Sequence, residues 1–230
     1  MKSTAGNPLP HPSLAAQREI LGAVLRLAPF YGWTHMTLRR AVNDTDLPDG
    51  AEELYFPGGP LEVIRFWSSE MDHRTAGHLT TESLRGLRVR DRVARAVLAR
   101  LEALGGHEEA ARRAVSRLSL PGAVGQATGQ LWATSDMIWR AIGDTSTDGN
   151  FYSKRAILSG VIGTTLLSWL SDDGEGKTKA RAFLDARIAD VMQFENLKRD
   201  IRKRTENMPN PVEVLGRLRY GKRRKRRQPP

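Results

Sequence analysis

Apolar residues recur at helical spacing along almost the whole chain, and no stretch alternates long enough to argue for a strand. The pattern predicts a helix over Leu14–Phe30, carried by Leu14, Ile20, Leu21, Val24 and Leu27. Thr37–Val42 and a short turn near Ala51–Tyr55 follow. Pro57-Gly-Gly-Pro60 is a hard break, and Pro60 suits the first turn of the next helix, Leu61–Leu79. Arg88–Leu104 is arginine-rich and amphipathic, ended by Gly105-Gly106. Glu108–Leu118 is a further helix. Pro121 is expected to open a helix running to Ile142, with Gly143 as its C-terminal cap. Ser146, Thr147 or Asp148 is placed to cap Phe151–Leu170. Asp172–Gly176 reads as a turn before Thr178–Arg204, whose apolar side is Ala182, Phe183, Ile188, Val191, Met192 and Phe194. Asn210-Pro211-x-Glu213 is a capping pattern for a last short helix. The chain is therefore expected to be all-α, with about nine helices.

Leu131–Leu170 stands out: two strongly apolar segments flank the polar loop GDTSTDGN, and three of the five tryptophans (Trp132, Trp139 and Trp169) lie within it. Positions 124, 128, 131, 135, 138 and 142 form one stripe, which a packed core explains. Gly160, Gly163 and Thr164 leave room for a second helix, or for an apolar ligand, to come close. The uncharged run Ala156–Ser171 is 16 residues long. As a helix it spans roughly 24 Å, short of the ~30 Å of a hydrocarbon layer. A buried helix is the expected reading.

Charge is concentrated rather than spread. The net charge is +10, but Arg217–Arg227 holds eight of the 36 Lys and Arg, and no acid. The remaining 28 face 26 Asp and Glu, so the body is close to neutral. Pro211, Val214, Leu215 and Leu218 share one helical face ahead of the basic run Lys222–Arg227. Membrane contact is expected at Val214, Leu215, Leu218, Lys222, Arg223, Arg224, Lys225, Arg226 and Arg227, because each cation near an anionic bilayer contributes up to about 1 kcal/mol. The absence of cysteine excludes disulfides, thiolate metal sites and a thiol nucleophile. The first twenty residues carry neither a signal-peptide core nor the repeated arginines of a transit peptide. Residues 1–13, with Pro8, Pro10 and Pro12, read as disordered.

Searches for catalytic chemistry return fragments. Gly176-Lys177-Thr178 imitates the end of a phosphate loop, but Ser171 stands where the motif needs glycine. Glu70-x-x-His73 is half of a di-iron signature without a second half. Asp136, Asp144 and Asp148 make an imaginable acid pair, which capping and turn formation explain as well. No nucleophile, base or metal cluster assembles, so neither enzyme, cofactor nor metal is expected.

Arg18-Glu-Ile-Leu21, Gly32-Trp33, Thr37-Leu38, Ala41 and Leu54-Tyr55-Phe56 with Leu61 resemble the helix-turn-helix of TetR-family repressors over residues 18–67. That resemblance implies a DNA-reading third helix. The matching stretch here carries Asp44, Asp46, Asp49, Glu52 and Glu53 with no Lys or Arg, and Pro48 and Gly50 disfavour a rigid helix. Carboxylates repel phosphates, so specific DNA binding is not expected.

A second resemblance is more specific. Glu53-Leu-Tyr-Phe-Pro-Gly-Gly-Pro60, Arg112-Arg113-Ala114, Leu118-Ser-Leu-Pro121, Leu131-Trp132, Asp136-Met-Ile-Trp139, Gly143-Asp-Thr-Ser-Thr-Asp148, Tyr152-Ser-Lys-Arg-Ala156, Phe183-Leu-Asp-x-Arg187 and Asp190-Val-Met192 occur in order. They resemble the coenzyme Q (ubiquinone) biosynthesis accessory family, ninth in the Coq series, over about residues 15–200. The resemblance implies a TetR-like homodimer that is not itself an enzyme. It would bind an isoprenoid quinone lipid and present it to the hydroxylase acting on demethoxyubiquinone.

By that resemblance the partner surface is Asp148, Asn150, Phe151 and Tyr152. Gly149-Asn150-Phe151-Tyr152 departs from the family's usual Phe-Asn-Trp-Tyr and removes aromatic area. The lipid is expected against Leu131, Trp132, Ile138, Trp139, Gly160, Gly163 and Leu167. The domain reading is a disordered 1–13, a helix-turn-helix-like 14–67, a lipid-binding and dimerisation region 68–205, and an amphipathic basic end at 206–230. The expected location is cytoplasmic, at the inner face of the cytoplasmic membrane. The alternative is a TetR-like regulator responding to a small apolar ligand.

Overall fold

The computed structural model describes residues 12–80, 84–145 and 149–206, giving only the backbone for 12, 149, 150 and 194–206. Expectations for residues 1–11, for the capping trio Ser146, Thr147 and Asp148, for the side chain of Phe194, and for everything from 207 to 230 lie outside the described residues. These last include the final short helix and the membrane-contact residues Val214–Arg227.

Among the described residues there are nine α-helices, one 3-10 turn and no strand. The helices are α1 (Pro12–Tyr31), α2 (His35–Asn43), α3 (Ala51–Tyr55), α4 (Gly59–His78), α5 (Val89–Glu102), α6 (Glu108–Leu118), α7 (Val124–Ala141), α8 (Gly149–Ser171) and α9 (Thr178–Glu206). None is long and apolar enough to cross a membrane. The packing divides the chain into two compact units, Met1–Ala186 and Arg187–Pro230.

In the first unit, Ile20, Val24 and Ala28 line the inner face of α1, where burying Ile20 or Val24 contributes roughly 1.5–3 kcal/mol each. Thr34 caps α2 by accepting from the Thr37 amide at 3.1 Å. Trp33 stacks on Trp67 of α4 at 5.6 Å between centroids, and its indole donates to Ala110 O of α6 at 2.9 Å. These contacts fix the α1–α2 connection against α4 and α6. α3 is only five residues long and is preceded by Gly50 at φ +82°, in line with the weak helix expected there.

The helical expectations hold closely, with three differences. Pro121 does not open α7: Gly122 takes φ +89° and turns the chain, so the helix begins at Val124. The stripe on α7 is buried only in its C-terminal half; Val124 and Thr128 are exposed, whereas Ser135, Ile138 and Ile142 are buried. On the first part of α9 the inward residues are Ala180 and Leu184, one turn apart, while Ala182 is exposed. Gly143 ends α7 at φ +87°, with Asp144 N bonded to Trp139 O at 2.9 Å, as a Schellman cap requires.

Two polar devices tie the ends of α8 and α9. Arg112 of α6 donates from Nε and Nη2 to Leu170 O, satisfying a terminal carbonyl of α8. Asp172 accepts from Gly174 N and Ala180 N, which caps α9. Lys177, in the stretch that imitates a phosphate loop, donates to Glu108 Oε2 at 2.8 Å and Asp172 O at 2.7 Å. It is a structural lysine.

In the second unit the described residues are the remainder of α9, where Arg187 pairs with Asp190 at 2.8 Å and Met192 is exposed.

Candidate functional site

α7 and α8 pack as an antiparallel pair, and one side of their seam opens into a cavity of about 600 Å³ completed by α4, α5 and α6. That volume lies within the range of small-molecule sites. Four of the residues expected at a lipid site line it together: Leu131, Gly160, Gly163 and Leu167. A Cβ on Gly163 would stand 3.4 Å from Leu131 Cδ1, so this glycine sets the close approach of the two helices. A Cβ on Gly160 would meet nothing within 4 Å, so that glycine leaves open space. Leu101, Val115, Leu118, Ile162 and Leu166 supply further apolar wall. Val124 and Leu167, 54% and 55% exposed, mark the side open to solvent.

The other three residues expected there lie elsewhere. Ile138 is fully buried between the helices, one turn beyond the last α7 residue on the wall, Thr134. Trp132 packs 6.2 Å from the Tyr152 ring. Trp139 donates its indole N–H to Lys154 O at 3.2 Å and lies under the Lys154 ammonium. The two tryptophans face the start of α8 rather than the cavity.

The inner end of the cavity is polar and was not foreseen. Arg100 of α5 bonds through Nε to Asp72 of α4, and its Nη2 reaches Ser68 Oγ at 3.0 Å. Thr134 donates to the same carboxylate at 3.0 Å. Asp72 and Arg100 are both buried, which is tolerable only because each is paired and further bonded. The partners stand 28 and 62 residues from Asp72 in sequence, so no local pattern connects them. The available signal was polar residues on otherwise apolar faces.

The loop side is organised by Arg155. Its side chain is 2% exposed, its Nε donates to Asp136 Oδ1 at 2.6 Å, and Nη1 lies 3.5 Å from Asp144 Oδ2. Lys154 pairs with Asp144 at 2.7 Å and Arg140 with Asp136 at 2.8 Å. Asp136 and Asp144 are thus each held in ion pairs with cations of α7 and α8. Of the expected partner residues, Asp148 lies outside the described residues, and Asn150 is described only as backbone in the first turn of α8. Phe151 is half-buried with the Arg155 guanidinium over its ring. Tyr152 is 66% exposed and meets Phe151 edge-on at 5.1 Å. An aromatic step is therefore presented on a rigid, charged base.

Glu70 pairs with Arg18 at 2.7 Å, which accounts for it on a surface helix. Among the described residues no group of three or more His, Asp or Glu could hold a metal ion.

Comparison with known proteins adds a decisive observation: the COQ9 family model matches residues 124–195. The chain is similar to the COQ9 proteins over that segment. The matched segment is α7, α8 and the first part of α9, and it contains both Leu131 and Gly160 of the cavity and the aromatic step. The "Ubiquinone biosynthesis protein COQ9, mitochondrial" of Rattus norvegicus is 29% identical over 83% of this chain and 63% of that protein. The Homo sapiens protein of the same name is 28% identical over 83% of this chain and 62% of its own length. The chain thus spans somewhat less than two thirds of the COQ9 relatives it matches.

The fold comparison agrees with the TetR-like expectation. A TetR transcriptional regulator from Nitrosomonas europaea superposes with a TM-score of 0.64 at 17% identity, covering 78% of this chain and 99% of that one. At that identity the likeness is one of fold alone. The expected cytoplasmic location does not stand, because the COQ9 relatives are named as mitochondrial proteins. The lack of a transit pattern in the first twenty residues does not bear on this, since the chain covers only part of those proteins' length.

Proposed function

We propose that the chain is a ubiquinone-biosynthesis accessory protein without catalysis of its own. It holds an isoprenoid quinone precursor in the cavity beside the α7–α8 seam and presents it to the hydroxylase that acts on demethoxyubiquinone. The observation carrying this reading is the cavity of about 600 Å³ with an almost wholly apolar wall, whose α7 and α8 residues fall in the segment matched by the COQ9 model. An isoprenoid tail has no groups to hydrogen-bond, so such a wall suits it and penalises a polar substrate.

The hydroxylase docks on the aromatic step of Phe151 and Tyr152, and Asp148 and Asn150, which the family resemblance adds to that surface, take part in the contact. Exposed aromatics on a rigid base are what a contact hot spot needs. The chain pairs with a second copy of itself, and its basic end, Lys222–Arg227, adds attraction to an anionic bilayer.

The test is extraction of lipid from natively purified protein, read by mass spectrometry. An isoprenoid quinone or its precursor is expected in stoichiometric amount; repeated preparations without one would sink the proposal. Docking is tested by co-purification with the hydroxylase, which the double change Phe151→Ala, Tyr152→Ala should abolish while bound lipid remains.

The TetR-like fold favours a second reading, a ligand-responsive regulator. It requires sequence-selective duplex binding. Asp44, Asp46, Asp49 and Glu53 are exposed along the region that would face DNA, and Arg39 beside them is engaged by Glu52 at 3.4 Å.

A further inference from the structure

The polar groups on the cavity wall are nearly all committed to the protein. Thr134 donates to Asp72, Ser159 to Arg155 O at 2.8 Å, and Thr164 to Gly160 O at 2.8 Å. Arg100 is neutralised by Asp72 and bonded to Ser68. Gln130 differs. It lines the cavity one turn before Thr134 on α7, and its Nε2 is buried with no partner among the described residues. A buried N–H left unpaired is unfavourable, and native proteins rarely leave one without a reason.

We propose that Gln130 is the head-group anchor of this cavity: its Nε2 donates to an oxygen of a neutral, oxygen-bearing ring whose apolar tail leads toward Val124 and Leu167. The inference rests on the ligand-carrying reading given above. Gln130 lies toward the polar inner end with Thr134 and Arg100, whereas Val124 and Leu167 are exposed. The ring therefore goes in and the tail lies outward. An anionic head is disfavoured, because the Arg100 charge is already met by Asp72 and no second cation lines the wall among the described residues. A quinone carbonyl or methoxy oxygen accepts from Nε2, and so does the ester carbonyl of a diacyl lipid; the experiment separates the two.

Equilibrium binding is measured on the full chain and on Gln130→Leu with three probes. These are a dimethoxy-methyl-benzoquinone bearing two isoprene units, farnesene as an oxygen-free isoprenoid, and dioleoylphosphatidylcholine. The expected result is a quinone affinity weaker by roughly fivefold to twentyfold in Gln130→Leu, the value of one hydrogen bond, with farnesene unchanged. The melting temperature of Gln130→Leu should not fall, because the change removes an unpaired polar group. Equal quinone affinity in both proteins overturns the anchor while leaving the carrier function intact. Loss confined to the diacyl lipid keeps the anchor and overturns the quinone as its ligand. If the parent chain binds neither isoprenoid, anchor and carrier function fall together.

Discussion

The guanidinium carbon of Arg155 stands 3.4 Å from the centre of the Phe151 ring, one helical turn earlier on α8. The same side chain bonds Asp136 of α7 and approaches Asp144 beyond the Gly143 cap. One buried cation therefore joins the end of α7, the following loop and the first turn of α8. It fixes the ring that the proposed partner surface uses.

Removing that cation leaves Asp136 with Arg140 alone and Asp144 with Lys154 alone, and opens a hole where a large buried side chain stood. Arg155→Ala is expected to destabilise the fold by about 3–5 kcal/mol, the usual consequence of breaking a buried pair on one side. Arg155→Lys keeps the charge but loses the planar stack and the fork of donors, and should cost about half as much. Urea denaturation of the three proteins checks the order. A loss below roughly 1 kcal/mol for Arg155→Ala would show that water already screens the network.

Much of the fold was legible because a helix writes its inner face into the sequence at a fixed period. The Gly143 cap and the Pro60 start came from backbone restrictions that no tertiary contact overrides. Pro121 misled because Gly122, in the left-handed region, ends the turn there instead of continuing it. On α9, Ile188 is buried as expected, but Ala180 and Leu184 go inward where the expected face had Ala182, because the true stripe is offset by about half a turn. At the site, Leu131, Gly160, Gly163 and Leu167 were readable as a leucine-and-glycine seam. Trp132 and Trp139 turn to the loop side, where Lys154 and Tyr152 receive them. Asp72, Arg100, Thr134 and Arg155 were not readable as a set, since a helical pattern assigns charges to the solvent face and says nothing about partners on other helices.

Gly59 tests the break between α3 and α4. It sits at φ +65°, and a Cβ there would come within 2.4 Å of the His35 ring of α2. Gly59→Ala combines a left-handed backbone penalty of roughly 1–2 kcal/mol with displacement of that ring. The expected total is about 2–3 kcal/mol. In a His35→Ala background the steric part disappears and only the backbone penalty should remain, giving a coupling that thermal melts can measure. Additive effects would show that the ring simply swings away.

The Asp172 carboxylate should govern part of the acid limb of stability. Backbone hydrogen bonds, first from Ala180 N and then from Gly174 and Lys179 N, hold its pKa below the ordinary 3.8 against the opposing effect of burial; Lys179 adds charge attraction. A carboxylate with a depressed native pKa stabilises the fold above its unfolded value. That contribution is fully present near neutrality and is lost as pH falls through the carboxylate range below about 4. Asp172→Asn should therefore be less stable than the parent at pH 7, and the gap should narrow toward pH 2. A difference that stays constant across that range would assign the effect to packing.

Gly160 separates stability from capacity in the cavity. It lies in the interior of α8, its Cβ position is unobstructed, and the space before it belongs to the cavity wall. Gly160→Ala should raise stability by up to about 1 kcal/mol, because glycine is the poorer helix former and nothing clashes. Gly160→Leu retains most of the propensity gain and sends a branched side chain into the space where the proposal seats the ligand. Its melting temperature should match or exceed that of the parent, while isoprenoid recovered from the native protein should drop severalfold. A fall in stability without a fall in bound lipid would mean that the side chain packs against protein and that the ligand lies elsewhere.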